Sequence, residues 1–253
     1  GMGVSKAGFK PVKIVEWDRW CCETINANRE AGVGAVFRWP EPFQEDARIT
    51  ELSQFEGKLA LVTGGPPCQP FSLGGKHQAN LDERDMWPAA VRAIRLTRPK
   101  AFIFENVKGL TRQTFSTYFE YIRLQLQFPE IIKFADEAWL DHLRRLEQER
   151  TSKGYLGLRY NVISEVLNAA DYGVPQKRER VFIVGIRSDL DIRWSFPPAT
   201  HTQDALLWDQ WRTGRYFDRH RITLSDRECS IRTEQRAFKL AEKPSKKPWK
   251  TVR

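Results

Sequence analysis

Apolar runs of strand length alternate with stretches of helical spacing over most of the chain. Residues 1–9 predict a short helix closed by Gly8, and residues 11–15 a strand ending in Glu16-Trp17-Asp18. From Asp18 to Arg29 the spacing is helical, with Trp20, Cys21, Thr24 and Ile25 as the expected inward stripe. Val36 and Phe37 read as the start of another strand, which Pro40 and Pro42 interrupt. An apolar strand over 59–63 ends in Gly64-Gly65-Pro66-Pro67. The next helix opens on the carboxylates around Asp82 and Asp85, with Pro88 in its first turn. It turns Ala90, Val91 and Ile94 inward until Pro99 stops it. Residues 101–104 form a fully apolar strand that Glu105-Asn106-Val107 closes.

Tyr118, Tyr121, Ile122, Leu124 and Leu126 mark a helix interrupted by Pro129, and 139–150 a second helix with a charged outer face. Residues 111–157 hold no catalytic constellation and read as packing or insertion. Strand patterns return at 160–167 and 181–186 around a turn at 168–175. Beyond Arg187 the periodicity fades. The expected fold is α/β, with its chemistry along one sheet edge.

Composition narrows the class. A chain of 253 residues with 41% hydrophobic residues and nine tryptophans buries a core and is not disordered. Its 41 Lys and Arg against 32 Asp and Glu leave +9, a balance suited to a polyanionic partner. The four cysteines, Cys21, Cys22, Cys68 and Cys229, match neither a disulfide framework nor a zinc set, which points to a reducing compartment. No apolar run approaches the roughly 20 residues needed to span a bilayer. The expectation is a soluble, cytoplasmic protein with no membrane partner.

Several polar residues sit where strands end. Cys68 follows a bend made by two glycines and stiffened by two prolines, a placement that suits a nucleophile. It also suits a small apolar residue in a tight turn. Glu105, at the tip of an apolar strand, is partly desolvated and so disposed to hold a proton, as a general acid must, or is an idle strand-end carboxylate. Glu16 with Trp17 stands where nucleotide-binding folds hold ribose and cover adenine; the alternative is a plain strand end with Asp18 as helix cap. Strand alternation puts Gln176, Arg178 and Arg180 on one face, ready for phosphate or for a structural ladder of carboxylates. Ser72 and Lys76, in a glycine-rich basic segment, are candidate phosphate donors or parts of a surface loop.

Gly-Pro-Pro-Cys-Gln-Pro-Phe-Ser at 65–72 resembles the nucleophile loop of the DNA (cytosine-5-)-methyltransferases. Phe-Glu-Asn-Val-Lys-Gly-Leu at 104–110 and Gln-x-Arg-x-Arg at 176–180 resemble that family's second and third signatures. The resemblance implies a Rossmann-like S-adenosylmethionine-dependent methyltransferase fold acting on double-stranded DNA through a flipped-out cytosine. It makes Cys68 the nucleophile, Glu105 the group at ring nitrogen 3, and Arg178 and Arg180 the residues reaching toward the active site. It gives Glu16, Trp17, Asp46 and Pro67 to the cofactor S-adenosyl-L-methionine. Ala47 departs from the larger aliphatic residue expected beside Asp46, which could equally be a solvated loop carboxylate.

The resemblance covers residues 1–187 well, as a catalytic domain, and 188–253 weakly, as an extension toward a target-recognition region. The family's opening Phe-x-Gly-x-Gly-Gly loop has only Gly1 and Gly3 as counterparts. The expectation is therefore an incomplete fold that a complementary chain or dimer partner completes, in a bacterial, nucleoid-associated enzyme of restriction-modification. Methylation of a transfer-RNA cytosine and a non-catalytic nucleic-acid-binding fragment are the alternatives.

Overall fold

A computed structural model of the protein describes residues 1–67, 85–152 and 154–252. These fall into two compact units, one of residues 1–164 with 182–194, the other of 165–181 with 195–253.

The first unit is built on a sheet ordered β3-β4-β6-β5, with β3 Leu61–Gly64, β4 Ala101–Val107, β5 Tyr160–Asn168 and β6 Glu179–Arg187. Residues 165–168 of β5 and 179–181 of β6 count with the second unit. β3 and β4 run parallel, in a register that sets Leu61 against Ala101 and Gly64 against Phe104. Along β4, Phe102, Phe104 and Asn106 are buried while Ile103, Glu105 and Val107 are half-buried, so one face of the pleat is in the core. Phe102 packs between the rings of Phe104 and Tyr160, at centroid distances of 5.4 and 5.2 Å. Gly185 supplies the space that the Phe102 ring fills.

Helix α3 (Trp87–Thr97) covers this core with Ala90, Val91 and Ile94, as its pattern predicts, and with Trp87. Its start is fixed by Asp85, whose Oδ1 accepts the Trp87 amide at 3.0 Å, and its end by Arg98 at φ 44°. Helices α4 (Ser116–Gln127) and α5 (Trp139–Thr151) follow the sequence closely. They meet over a buried polar pair. His142 Nε2 lies 2.8 Å from the Ile131 carbonyl, which only accepts, so Nε2 carries the proton. Nδ1 is then the acceptor for the Tyr121 hydroxyl at 2.7 Å. Burial holds the His142 imidazole below its ordinary range. Arg145 hydrogen bonds hold the nearby Glu137 carboxyl down at about 2.

The amino-terminal part corrects three expectations. Helix α1 is Met2–Lys6, but the strand expected over 11–15 shrinks to β1 (Val15–Glu16), parallel to an unforeseen β2 (Phe43–Gln44). Helix α2 (Arg19–Glu30) starts at the Asp18 cap, whose Oδ1 accepts the Cys21 amide at 2.8 Å. The stripe it turns inward is Cys22, Ile25, Asn26 and Arg29; Trp20, Cys21 and Thr24 are exposed. Arg29 hydrogen-bonds the Trp39 carbonyl and Asn26, so part of the inward face is polar, which hydrophobic periodicity overlooks. Val36–Arg38 is a 3-10 turn rather than a strand, because Gly34 at φ 52° and the bond from the Trp39 amide to the Val36 carbonyl curl it.

In the second unit, β7 (His201–Thr202) pairs in parallel with β8 (Lys247–Pro248). Helix α6 (Gln203–Leu207) runs into a π turn at Trp208–Arg212, followed by α7 (Arg215–His220) and α8 (Ile231–Phe238). Ala205, Leu207, Tyr216, Phe217 and Ala237 make its core, with Trp211 edge-on to Phe217 at 5.0 Å. Helices of five to eight residues complete too few turns to imprint a period, which explains the formless sequence there. Among the described residues no helix is long and apolar enough to cross a membrane.

Two outcomes follow. Gly185→Ala places a methyl group inside the Phe102 ring and is expected to lower stability by about 1–3 kcal/mol in urea titration. Because the folded imidazole of His142 titrates below its ordinary 6.5, the unfolded chain binds the extra proton first. This contribution is complete above about pH 6.5 and is lost as pH falls toward the folded value. Urea midpoints at pH 7.5 and 5.5 should therefore separate more for the wild type than for His142→Gln.

Candidate active site

Glu16, Trp17 and Asp46 come together because β1 and β2 are parallel neighbours that end side by side. Glu16 pairs with Gln44, and the Glu45 amide donates to the Glu16 carbonyl at 3.1 Å. Trp17 stands on one side of an open pocket of about 620 Å³, with Gln44, Glu45, Asp46, Ile49, Thr50 and Glu51 on the others. That volume suits a nucleoside-sized ligand. The indole is 69% exposed, an apolar plane still to be covered. One carboxylate oxygen of Glu16 accepts the Asp18 amide at 3.0 Å, and the other keeps its own capacity to accept.

Asp46 heads the turn that closes the pocket. Its backbone carbonyl accepts the Thr50 amide at 3.0 Å and the Thr50 hydroxyl at 2.9 Å. Arg92 holds the same turn through the Thr50 carbonyl at 2.9 Å. The carboxylate itself is gripped by Arg48, whose Nε donates at 2.8 Å to Oδ2 and 3.1 Å to Oδ1. Those hydrogen bonds hold the Asp46 carboxyl below its ordinary 3.8. Sequence reasoning missed Arg48 and the Thr50 brace, since β2 is two residues long and follows Pro40 and Pro42.

The second cluster lies at the carboxyl ends of β3 and β4. Their parallel register carries Gly65 past Glu105: a Cβ built on Gly65 would lie 3.6 Å from Glu105 Oε2. Asn106, buried beside Glu105, donates from Nδ2 to the Pro66 carbonyl at 3.0 Å. Pro67, exposed, is the last described residue of this loop. Cys68, Ser72 and Lys76 lie outside the described residues.

Gln176, Arg178 and Arg180 belong to the second unit. β6 begins at Glu179, so the face assignment by strand alternation holds for Arg180 but not for Gln176 and Arg178, which precede the strand. The cause is a closed turn. Asn168 Oδ1 accepts the amides of Ala170 and Arg178 at 3.2 and 3.1 Å, and the Ala169 amide donates to the Arg178 carbonyl at 2.9 Å. Gly173 at φ 87° completes it beneath the His201 ring. Gln176 and Arg178 are exposed, whereas Arg180 is half-buried with Nη1 on the Glu179 carbonyl at 2.8 Å.

The profile of the C-5 cytosine-specific DNA methylases matches residues 1–128 and 144–242. The chain belongs to that family. It is 35% identical to the Type II methyltransferase M.AquIA of Picosynechococcus over 207 residues, 79% of this chain and 71% of that protein. With M.PspPI of Psychrobacter, another Type II methyltransferase, it shares 31% identity over 86% of its own length. The chain spans only 44% of M.PspPI. A solved E. coli prophage protein described as a DNA modification methyltransferase superposes with a TM-score of 0.50 at 23% identity, covering 81% of this chain and 50% of that one. This last likeness is one of fold, the Rossmann-like α/β methyltransferase fold. Residues 129–143, which carry the connection into α5, fall between the matched segments of the methylase profile.

Replacing the Arg48 guanidinium tests the electrostatics of the pocket. In Arg48→Ala the Asp46 carboxyl is expected to titrate closer to 3.8 than in the wild type, as followed by NMR of the carboxyl carbon.

Proposed function

We propose that this methylase transfers a methyl group from S-adenosylmethionine to carbon 5 of a DNA cytosine through a covalent Cys68 adduct. The observation that carries the proposal is the parallel pairing of β3 with β4, which sets the start of the Gly-Pro-Pro-Cys loop against Glu105 and Asn106. A nucleophile loop and an acid on adjacent strand ends suit attack on one ring from two sides.

Carbon 5 of cytosine is too weak a nucleophile to take a methyl group unaided. Addition of the Cys68 thiolate to carbon 6 forms a carbon–sulfur bond and moves the displaced electron pair toward ring nitrogen 3. Glu105 donates a proton or hydrogen bond to that nitrogen, which leaves an enamine with its electron density on carbon 5. Bound S-adenosylmethionine supplies the electrophilic methyl group. Loss of the carbon-5 proton to solvent, expulsion of the Cys68 thiolate and return of the nitrogen-3 proton to Glu105 then restore the neutral aromatic ring. A stacked cytosine is out of reach of both groups, so the base must be flipped, at a cost of a few kcal/mol.

Glu16, Trp17, Asp46 and Pro67 are assigned to the cofactor. The Asp46 carboxylate and the uncovered Trp17 indole around one pocket support this for adenosine, whose amino group donates and whose ring stacks, and Glu16 immediately precedes Trp17. The motif, not a distance, assigns Arg178 and Arg180 to the thiolate and Gln176, Ser72 and Lys76 to DNA. Positive charge favours the thiolate over a thiol that otherwise titrates near ~8.5.

A complementary chain or a second copy completes the protein. In support, β3 ends its sheet among the described residues, with Leu61 and Val62 only half-buried. Trp20, at 69% exposure, and Phe43 are further exposed apolar side chains of the same unit. An open edge of this kind invites another strand.

A duplex carrying 5-fluorocytosine, which cannot lose the carbon-5 substituent, should trap the wild type as a covalent complex on denaturing gels and Cys68→Ala not at all. Formation of that complex by Cys68→Ala would overturn the assignment. Trp17→Ala is expected to weaken S-adenosylmethionine binding about three- to tenfold in calorimetry, the share of one aromatic stack.

A further inference from the structure

The β3–β4 ladder cannot continue past Gly65. Pro66 and Pro67 have no amide hydrogen, so the backbone offers the next turn of chain nothing to hold it by except carbonyls. Asn106 answers that deficit with a side chain. It is 3% exposed, and its amide is satisfied at both ends: Nδ2 donates to the Pro66 carbonyl at 3.0 Å, and Oδ1 accepts the Val107 amide at 2.8 Å. Neither end can be exchanged, since a carbonyl only accepts and an amide N–H only donates. The orientation is therefore set by the chain itself.

Asn106 is also the immediate neighbour of Glu105. The same two-residue tip of β4 thus presents the candidate acid and grips the carbonyl two residues ahead of Cys68. Gly65 passes on the way, with its Cβ position 3.6 Å from the Glu105 carboxylate and 3.7 Å from the Glu105 carbonyl.

We infer that Asn106 is a positioning residue for the reaction: its bond to Pro66 fixes the root of the Cys68 loop relative to Glu105. The inference rests on the reading given under Proposed function and assigns Asn106 no contact with substrate. Misplacing a reacting group by about 1 Å costs roughly 10²-fold in rate, so one side-chain bond at the loop root has large leverage. An Asp at this position keeps the shape but turns an acceptor toward the Pro66 carbonyl. An Ala leaves that carbonyl without its donor. A Ser retains a shorter donor.

The test uses two readouts on Asn106→Ala, Asn106→Asp and Asn106→Ser. In the first, iodoacetamide labelling of Cys68 is compared with that of Cys21 and Cys229, both exposed, while buried Cys22 reports whether the chain is folded. The Cys68 ratio should rise at least fivefold in the Ala and Asp variants with Cys22 still protected, and lie between these and the wild type for Ser. In the second, single-turnover capture of the 5-fluorocytosine duplex should slow about a hundredfold in the Ala variant, with S-adenosylmethionine affinity within twofold of wild type. An unchanged Cys68 ratio overturns the inference, as does a capture rate that falls only in step with cofactor affinity. If one variant loses Cys22 protection, the remaining two decide. If the wild type captures no duplex, the proposed reaction fails, and the labelling ratio alone still judges Asn106.

Discussion

The arrangement depends on the parallel pairing of β3 with β4. Parallel strands end at the same side of a sheet, so whatever follows one lies beside whatever follows the other. Here that places a glycine-proline loop against Glu-Asn-Val, and the register decides which residues meet. Phe102 and Phe104 set it by burying themselves on alternate positions of β4. A slip of one residue would turn Glu105 into the core and Phe104 out of it. The apolar core therefore positions the candidate acid, although none of its side chains need touch a substrate.

The pocket at the carboxyl ends of β1 and β2 is held differently. Two strands of two residues each bury little, and much of the surrounding apolar surface stays open, Ile49 at 78% exposure among it. Polar contacts carry the local shape: the Asp46–Arg48 pair, the Thr50 brace and Arg92 behind it. Exposed ion pairs contribute little to stability, typically under about 1 kcal/mol each. A pocket built this way gains from anything that covers it, ligand or second chain, by mass action on the ordered form. The exposed indole of Trp17 belongs to such a surface, one that is finished by binding.

Where a physical signal was local, the sequence disclosed it. The apolar strand at 101–104 and the Pro88 helix start act within a few residues and stand where they were expected, and the Asp18 cap stands as the alternative reading of the Glu16-Trp17-Asp18 strand end had it. What stayed hidden depended on distant partners. The inward side of α2 includes Asn26 and Arg29 because Arg29 donates both to the distant Trp39 carbonyl and to Asn26 Oδ1. Gln176 and Arg178 leave the strand because Asn168, ten residues from Arg178, pulls the chain into a turn. The three motif segments were legible from resemblance, and of Glu16, Trp17 and Asp46 the last two line one pocket. No periodicity announced the short helices beyond Arg187, whose packing rests on aromatic contacts such as Trp211 with Phe217.

The pair of prolines before Cys68 gives this locality a chemical sense. A loop that must hold a thiol steady under a reacting ring gains from a backbone with few accessible conformations, and two successive prolines restrict it strongly. The same choice removes two amide donors at the point where the sheet would otherwise anchor the chain. Stiffness without an anchor would leave a rigid arm on a loose root. A buried side-chain amide on the neighbouring strand, with one end on the Pro66 carbonyl and the other on its own backbone, supplies that anchor without extending the ladder. On the proposed reaction Glu105 and Asn106 divide the work at one strand tip, the first at the reacting ring and the second at the root of the loop that carries Cys68.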